Sequence, residues 1–157
     1  KLKDSAKISR QNYFVFYYLQ SKIMYYFYKY IRRDFKKGTI NDFSFVPMTH
    51  QQIQEIISQT RILIDIQKAH QVGLTIRTLE LLASNKKFVT TNTEIKKYNF
   101  FSENNIQLLS RLEPSISEDL IRSNFNTVDS EILQQYSIGY FLKELLGILP
   151  SGNYYQD

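Results

Sequence analysis

The chain has 157 residues, 43% hydrophobic and 22% charged, which is enough apolar material for one globular domain and excludes a disordered polymer. A formal net charge of +5 suits an anionic ligand or surface without requiring either. There is no cysteine, so disulfides and thiolate zinc sites are excluded, and two histidines, His50 and His70, cannot make a metal centre by themselves.

The chain starts at Lys1 rather than Met and shows no signal-peptide pattern, so we expect a single domain over 1–157 that is a fragment of a longer protein. Residues 13–31 are nearly continuous in apolar and aromatic side chains, but Gln20, Ser21 and Lys22 interrupt the run. A central lysine costs ~2.5–3.5 kcal/mol on insertion into a bilayer, which argues against a membrane span. The run reads instead as a buried strand over 12–19 (NYFVFYYL) and then a helix. Ser21 caps that helix, which reaches about Arg33 with Ile23, Met24, Phe27, Tyr30 and Ile31 at helical spacing. Arg32, Arg33, Lys36 and Lys37 complement its dipole, and Gly38 stops it.

A short strand is expected over 43–48, followed by a capping box of Thr49 and Gln52 and a helix with Ile53, Ile56 and Ile57 on one face. The run 61–66 (RILIDI), broken only by Asp65, reads as a central parallel strand covered on both sides. After a loop over 67–73 come a helix over about 75–84, a strand over 88–91, a helical turn within 95–101 and a strand over 106–109. Ser115 with Glu118 caps a short helix through Ile121 and Arg122. Asp129 or Ser130 opens a long C-terminal helix, about 129–146, with Ile132, Leu133, Tyr136, Tyr140 and Phe141 inward. Strands alternating with helices imply an α/β fold, a Rossmann-like parallel sheet of about five strands with helices on both faces. Ligands of such sheets bind at the carboxyl ends of the strands, where the loop after Ile66 lies.

The stretch 71–92 (QVGLTIRTLELLASNKKFVTTN) concentrates the candidate chemistry. The first N–H groups of the helix after Gly73 have no partner within the helix, and the dipole places roughly half a positive charge there. A phosphate is stabilised by both effects. Gly73 permits unusual dihedrals and close backbone approach, and Arg77 supplies a planar cation suited to a diphosphate. Glu80, one turn on, can accept from two ribose hydroxyls. The competing reading is an exposed Arg77–Glu80 ion pair worth ~0.3–0.5 kcal/mol. His70 is either a loop group facing phosphate or merely solvated; Asp65 either orients a ligand or caps a turn; Lys86-Lys87 and Lys96-Lys97 read as solvated faces.

Ile64-Asp65-Ile66-Gln67, His70-Gln71, Gly73-Leu74-Thr75, Arg77-Thr78, Glu80, Lys86-Lys87 and Val89-Thr90-Thr91-Asn92 follow in an order that resembles bacterial capsule and lipopolysaccharide biosynthesis proteins. It is similar to the spore-maturation-type glycosyltransferases, whose C-terminal domain carries an R-T-x-E helix before a threonine-ended strand, and more loosely to the nucleotide-sugar domain of GT-B glycosyltransferases. The likeness runs on through Lys96-Lys97-Tyr98, Phe100-Phe101, Asn104-Asn105-Ile106 and Arg111, and departs at Ser84-Asn85-Lys86, where many GT-B members have a glycine.

The resemblance implies the donor-binding, C-terminal half of a two-domain transferase. It assigns Glu80 to the donor ribose, Arg77 and the Gly73-Leu74-Thr75 backbone to the diphosphate, and His70 (as the catalytic candidate) and Gln71 to the cleft. It also implies a nucleotide-sugar donor, no cofactor, metal-independent transfer, and a polysaccharide or lipid-linked acceptor held by an N-terminal domain outside this segment. The implied location is cytoplasmic; the basic aromatic helix of 22–37 either lies on an anionic membrane surface, which would place the protein peripherally on the inner membrane, or packs its aromatic stripe as core. No D-x-D pair is present.

Two rival classes remain, a nucleic-acid-binding module and a non-catalytic interaction domain. Basic residues interleaved with tyrosines suit base stacking, but the aromatics sit in apolar runs and no RNA-binding signature occurs, so no nucleic-acid partner is expected. The glycine motifs of kinases, P-loop proteins and dehydrogenases are absent, as is G-x-S-x-G.

Overall fold

The computed structural model describes residues 12–35, 38–67 and 73–156. The chain divides into two compact units that meet in sequence between Ile56 and Ile57. Among the described residues no helix is long and apolar enough to cross a membrane.

In the first unit, the expected strands over 12–19 and 43–48 reduce to one isolated parallel bridge, Tyr18 with Ser44. Leu19 N–H donates to Ser44 O at 3.0 Å and Ser44 N–H to Tyr17 O at 2.8 Å. Phe14 is 61% exposed, so this aromatic run is not the buried strand its composition implies. Helix α1 (Lys22–Tyr26) starts where expected, with the Ser21 hydroxyl accepting from Met24 N–H at 3.2 Å. It widens into a π-helical turn, Phe27–Arg32, and ends at Arg33 with φ 56°, before reaching Gly38. Buried Tyr25 explains the packing here. Its hydroxyl donates to Gly38 O at 3.0 Å, and its ring lies 5.5 Å from that of Phe43. A 3-10 turn (Ile40–Asp42) follows. Helix α2 (His50–Gln59) carries the expected box: Thr49 N–H donates to Gln52 Oε1 at 2.9 Å and Gln52 N–H to Thr49 Oγ1 at 3.3 Å.

The second unit is built on β1 (Ile62–Asp65), α3 (Ile76–Ala83), β2 (Lys87–Thr90), a 3-10 turn (Thr93–Lys97) and β3 (Ile106–Leu108). The sheet is parallel and has three strands, ordered β1-β2-β3, not about five. Among the described residues, the other two expected strands pair with each other at Tyr18 and Ser44. The shortfall moves the centre of the sheet. β2 is central, with Phe88, Val89 and Thr90 at 2% exposure or less. β1 is an edge strand, and Ile64 (46%) on it and Ile66 (60%) just past it are exposed, so the expectation of a strand covered on both sides fails.

Side chains alternate across the pleat, so register assigns the faces. Leu63, Phe88 and Ile106 are cross-strand neighbours on one face and join Leu81, Leu82, Ile95 and Phe100 in the core. Lys87, Val89 and Gln107 point to the other. There the Gln107 amide donates to Ser115 O and accepts from Ser117 N–H, both at 2.9 Å, drawing the short helix α4 (Glu118–Arg122) over the sheet. Helical segments thus lie on both faces. The N-cap of α4 is Ser117, accepting from Leu120 N–H at 3.2 Å, rather than Ser115, whose carbonyl is engaged by Gln107.

The expected C-terminal helix of 129–146 is two helices, α5 (Ser130–Gln135) and α6 (Ile138–Leu145). Ser137 is the cause, because its hydroxyl accepts from Tyr140 N–H at 3.2 Å and starts a new helix. Ile132, Leu133 and Tyr136 pack on the core as expected, whereas Phe141 is 54% exposed. Gly147, at φ 68°, ends α6 in a Schellman motif, with Ile148 N–H on Lys143 O at 2.8 Å and Gly147 N–H on Glu144 O at 2.9 Å.

Candidate functional site at the carboxyl ends of the strands

β1, β2 and β3 end together, and the backbone ladder continues past them through Thr91 N–H to Asp65 O (3.2 Å) and Leu109 N–H to Thr90 O (2.8 Å). Polar side chains then knit the three strand ends into one rim. The Thr91 hydroxyl accepts from Gln67 N–H at 3.0 Å and from the Arg111 guanidinium at 3.1 Å. Arg111 also donates to Gln67 O. A cation beyond β3 therefore bridges the ends of β1 and β2.

Gly73 stands at this rim with φ 81°, a conformation that costs a residue with a Cβ roughly 1–2 kcal/mol. Its carbonyl accepts from Asn92 Nδ2 at 3.0 Å and from Gln67 Nε2 at 3.4 Å, so the turn into α3 is tied to the ends of β1 and β2. Leu74 packs against the core and anchors the turn from below. Thr75 is the N-cap of α3, its hydroxyl accepting from Thr78 N–H at 3.1 Å. One of the first amides of α3 is thereby held within the chain itself.

Arg77 and Glu80 form an ion pair of 3.2 Å with side chains 52% and 47% exposed. The intrahelical reading of this pair therefore holds in this conformation. Arg77 still acts on the rim, because its charge favours the ionised form of Asp65. Asp65 is 7% exposed and its Oδ2 accepts from Thr78 Oγ1 at 3.4 Å. Burial raises its pKa above the ordinary carboxylate value, against the smaller opposing effects of Thr78, Arg77 and Thr90. Asp65 thus joins β1 to the first turn of α3 rather than capping a turn.

The structure brings Gly73, Leu74, Thr75 and Arg77 together at the rim, with Glu80 one turn farther along α3. His70 and Gln71 lie outside the described residues. Gln67, Thr91, Asn92 and Arg111 are rim residues that sequence reasoning did not single out as a site. Their signal was positional, since each lies within three residues after the end of a strand. Lys87 also departs from expectation. It is buried at 2% exposure, and its ammonium donates to Leu120 O, Ser123 O and Ser123 Oγ. Lys97 does lie at the surface, paired with Glu94. Among the described residues no three His, Asp or Glu side chains gather to hold a metal ion.

Chemically, the rim offers a turn with a left-handed glycine, a guanidinium on an adjacent helical turn, and amide and hydroxyl donors at the strand ends. Those groups suit an anionic, hydroxyl-bearing ligand. In comparisons with known proteins, no family model, curated protein or solved structure matches the chain.

Proposed function

We propose that this chain is the donor-binding half of a metal-independent glycosyltransferase that takes a nucleotide-sugar at the rim around Gly73. One observation carries the reading: a parallel β1-α3-β2 unit turns at a positive-φ glycine into a helix whose first turn bears Arg77 beside the strand ends. In this reading the diphosphate lies over the Gly73-Leu74-Thr75 backbone and the Arg77 guanidinium. Glu80 accepts from the ribose hydroxyls. As the glycosidic bond breaks, negative charge grows on the leaving nucleoside diphosphate, and the guanidinium and helix N-terminus stabilise it.

The Arg77–Glu80 pair must open for this. An exposed pair costs ~0.3–0.5 kcal/mol to separate, and a charge-assisted hydrogen bond to phosphate returns ~1.5–3 kcal/mol, so opening does not forbid binding. The acceptor, a cell-surface polysaccharide or lipid-linked sugar, and the general base that activates its hydroxyl belong to a second domain in this reading, so this segment alone binds donor and transfers nothing.

The same 3.2 Å pair favours a second reading, a non-catalytic interaction domain in which Arg77 and Glu80 satisfy each other permanently. Titrating the chain with a panel of nucleoside diphosphates, by calorimetry and thermal melting, separates the two. The transferase reading expects one base to bind best, with affinity falling tenfold or more in Arg77→Ala and in Glu80→Ala. Melting curves that no nucleotide moves would leave the interaction domain.

A further inference from the structure

The opposite ends of the strands carry a different feature. β1 begins just after Arg61 and β2 begins at Lys87, so these two cations and Lys86 gather at the amino ends of the strands. With Asn85, Ser123, Asn124 and Phe125 they line a cleft of about 210 Å³, and among the described residues no acidic side chain lines it. We propose that this cleft is a binding site for a small phosphorylated molecule, separate from the rim around Gly73.

The cations there are held in place and not neutralised. Lys87 is buried, and its ammonium has three oxygen acceptors, none of them a carboxylate. It is a fixed charge in the wall of the cleft. Arg61 makes a long 3.4 Å contact to Arg122 O, which leaves most of its five donors for a ligand. Lys86 donates to Ser58 O at 3.0 Å, which engages one of its three protons. On α4, Glu118 is paired with Arg122 at 3.0 Å. Burial lowers the Lys87 pKa, and the charge of Arg61 lowers it further, so the two cations repel each other across the cleft. A dianion between them relieves that repulsion.

Size and lining define the ligand class. About 210 Å³ lies below the ~300–1,000 Å³ of sites for drug-sized ligands, so the cleft matches a phosphate with a short organic chain. Phe125 gives the organic part an apolar wall, and Ser123 and the two asparagines offer neutral hydrogen bonds.

The test measures melting temperature and amide chemical shifts of the whole chain with inorganic phosphate, with glycerol 3-phosphate and with a single-stranded oligonucleotide. Each is compared with chloride at equal ionic strength. The proposal expects saturable stabilisation by the two small phosphates, tighter for glycerol 3-phosphate, with shifts at Lys86, Ser123 and Asn124. It expects the apparent Kd to rise at least tenfold in an Arg61→Gln/Lys86→Gln double variant and to stay within twofold in Lys96→Gln. Both altered side chains are at or near the surface, so the double variant folds, and its near-ultraviolet spectrum checks this. No effect beyond chloride, shifts confined to Gly73–Arg77, an effect unchanged in the double variant, or binding of the oligonucleotide alone would each overturn it.

Discussion

The Thr78 hydroxyl donates to the buried Asp65 carboxylate across 3.4 Å, and so the first turn of α3 is tied to the end of β1 at the candidate rim. Burial holds the Asp65 pKa above the ordinary value, so the folded chain keeps this proton over a window in which the unfolded chain has lost it. The contribution of Asp65 to stability is therefore fullest below the ordinary carboxylate range and is lost as pH rises through the raised value. Asp65→Asn keeps the shape and an acceptor for Thr78. We expect the variant to be more stable than the parent at neutral pH in urea unfolding, with the advantage vanishing near pH 3. A less stable variant at neutral pH would show that Arg77 and the two threonines more than offset the burial.

A double-mutant cycle on Arg77→Ala and Glu80→Ala should give a coupling of ~0.3–0.5 kcal/mol, falling in high salt, because both side chains are about half exposed at 3.2 Å. Repeating the cycle with a bound nucleoside diphosphate probes the proposed function. If the two residues turn to phosphate and ribose, the coupling changes sign or disappears; an unchanged coupling in the bound state would mean that the pair never opens.

What the sequence made legible is what local chemistry dictates. Ser21, Thr49 with Gln52, and Gly73 announce themselves through caps and a left-handed turn that involve neighbours within a few residues. The alternation of β1, α3 and β2 was legible for the same reason. Strand count was not. The aromatic run 12–19 has the composition of a strand, but pairing is non-local, and among the described residues its one bridge is to Ser44. Ile64 and Ile66 read as core because an apolar run is equally consistent with a central strand and with an exposed edge. Lys86-Lys87 reads as a solvated pair because nothing local shows that Leu120 and Ser123, more than thirty residues on, supply the acceptors for a buried Lys87 ammonium. At the rim, Gly73 and Arg77 were visible because they share one turn with their helix. Arg111, more than thirty residues away, reaches the rim only through the packing of β3.

Lys87→Met tests that burial directly. The substitution keeps an unbranched apolar stem and strips three oxygens, two of them carbonyls, of their donor. An unpaired buried acceptor costs ~1–3 kcal/mol, so we expect a loss of about 2–3 kcal/mol in urea unfolding after some relaxation and hydration. The lowered pKa adds a signature in pH. The folded chain releases this proton before the unfolded chain does, so in the parent the contribution of Lys87 improves as pH rises from its lowered value toward 10.5. Lys87→Met lacks that slope, and its deficit should widen with alkalinity over this window. A variant as stable as the parent would mean that the ammonium contributes nothing to holding α4.

One carboxylate takes part in fastening the C-terminal segment. Glu144, on α6, accepts from the Tyr154 hydroxyl and from Gly152 N–H. Tyr154 O in turn accepts from Asn99 N–H at 3.0 Å and from the Tyr136 hydroxyl at 3.2 Å, and Gln156 N–H donates to Lys97 O at 2.8 Å. Burial, reinforced by Glu144, pushes the Tyr154 pKa up to about 12. The folded chain thus holds the phenol proton above the ordinary value of 10, and the stability this provides is lost as pH rises through about 12. Tyr154→Phe removes that dependence, so its alkaline unfolding profile should be flatter than the parent's even though it starts lower at neutral pH. Glu144→Gln should retain part of the clasp and Glu144→Ala none. In Glu144→Ala, hydrogen exchange at Asn99 and Gln156 should accelerate at least tenfold, while the amides of β2 keep the rate set by global unfolding. Equal acceleration in the tail and in β2 would show that Glu144 supports the whole unit, and that the tail has no separate opening of its own.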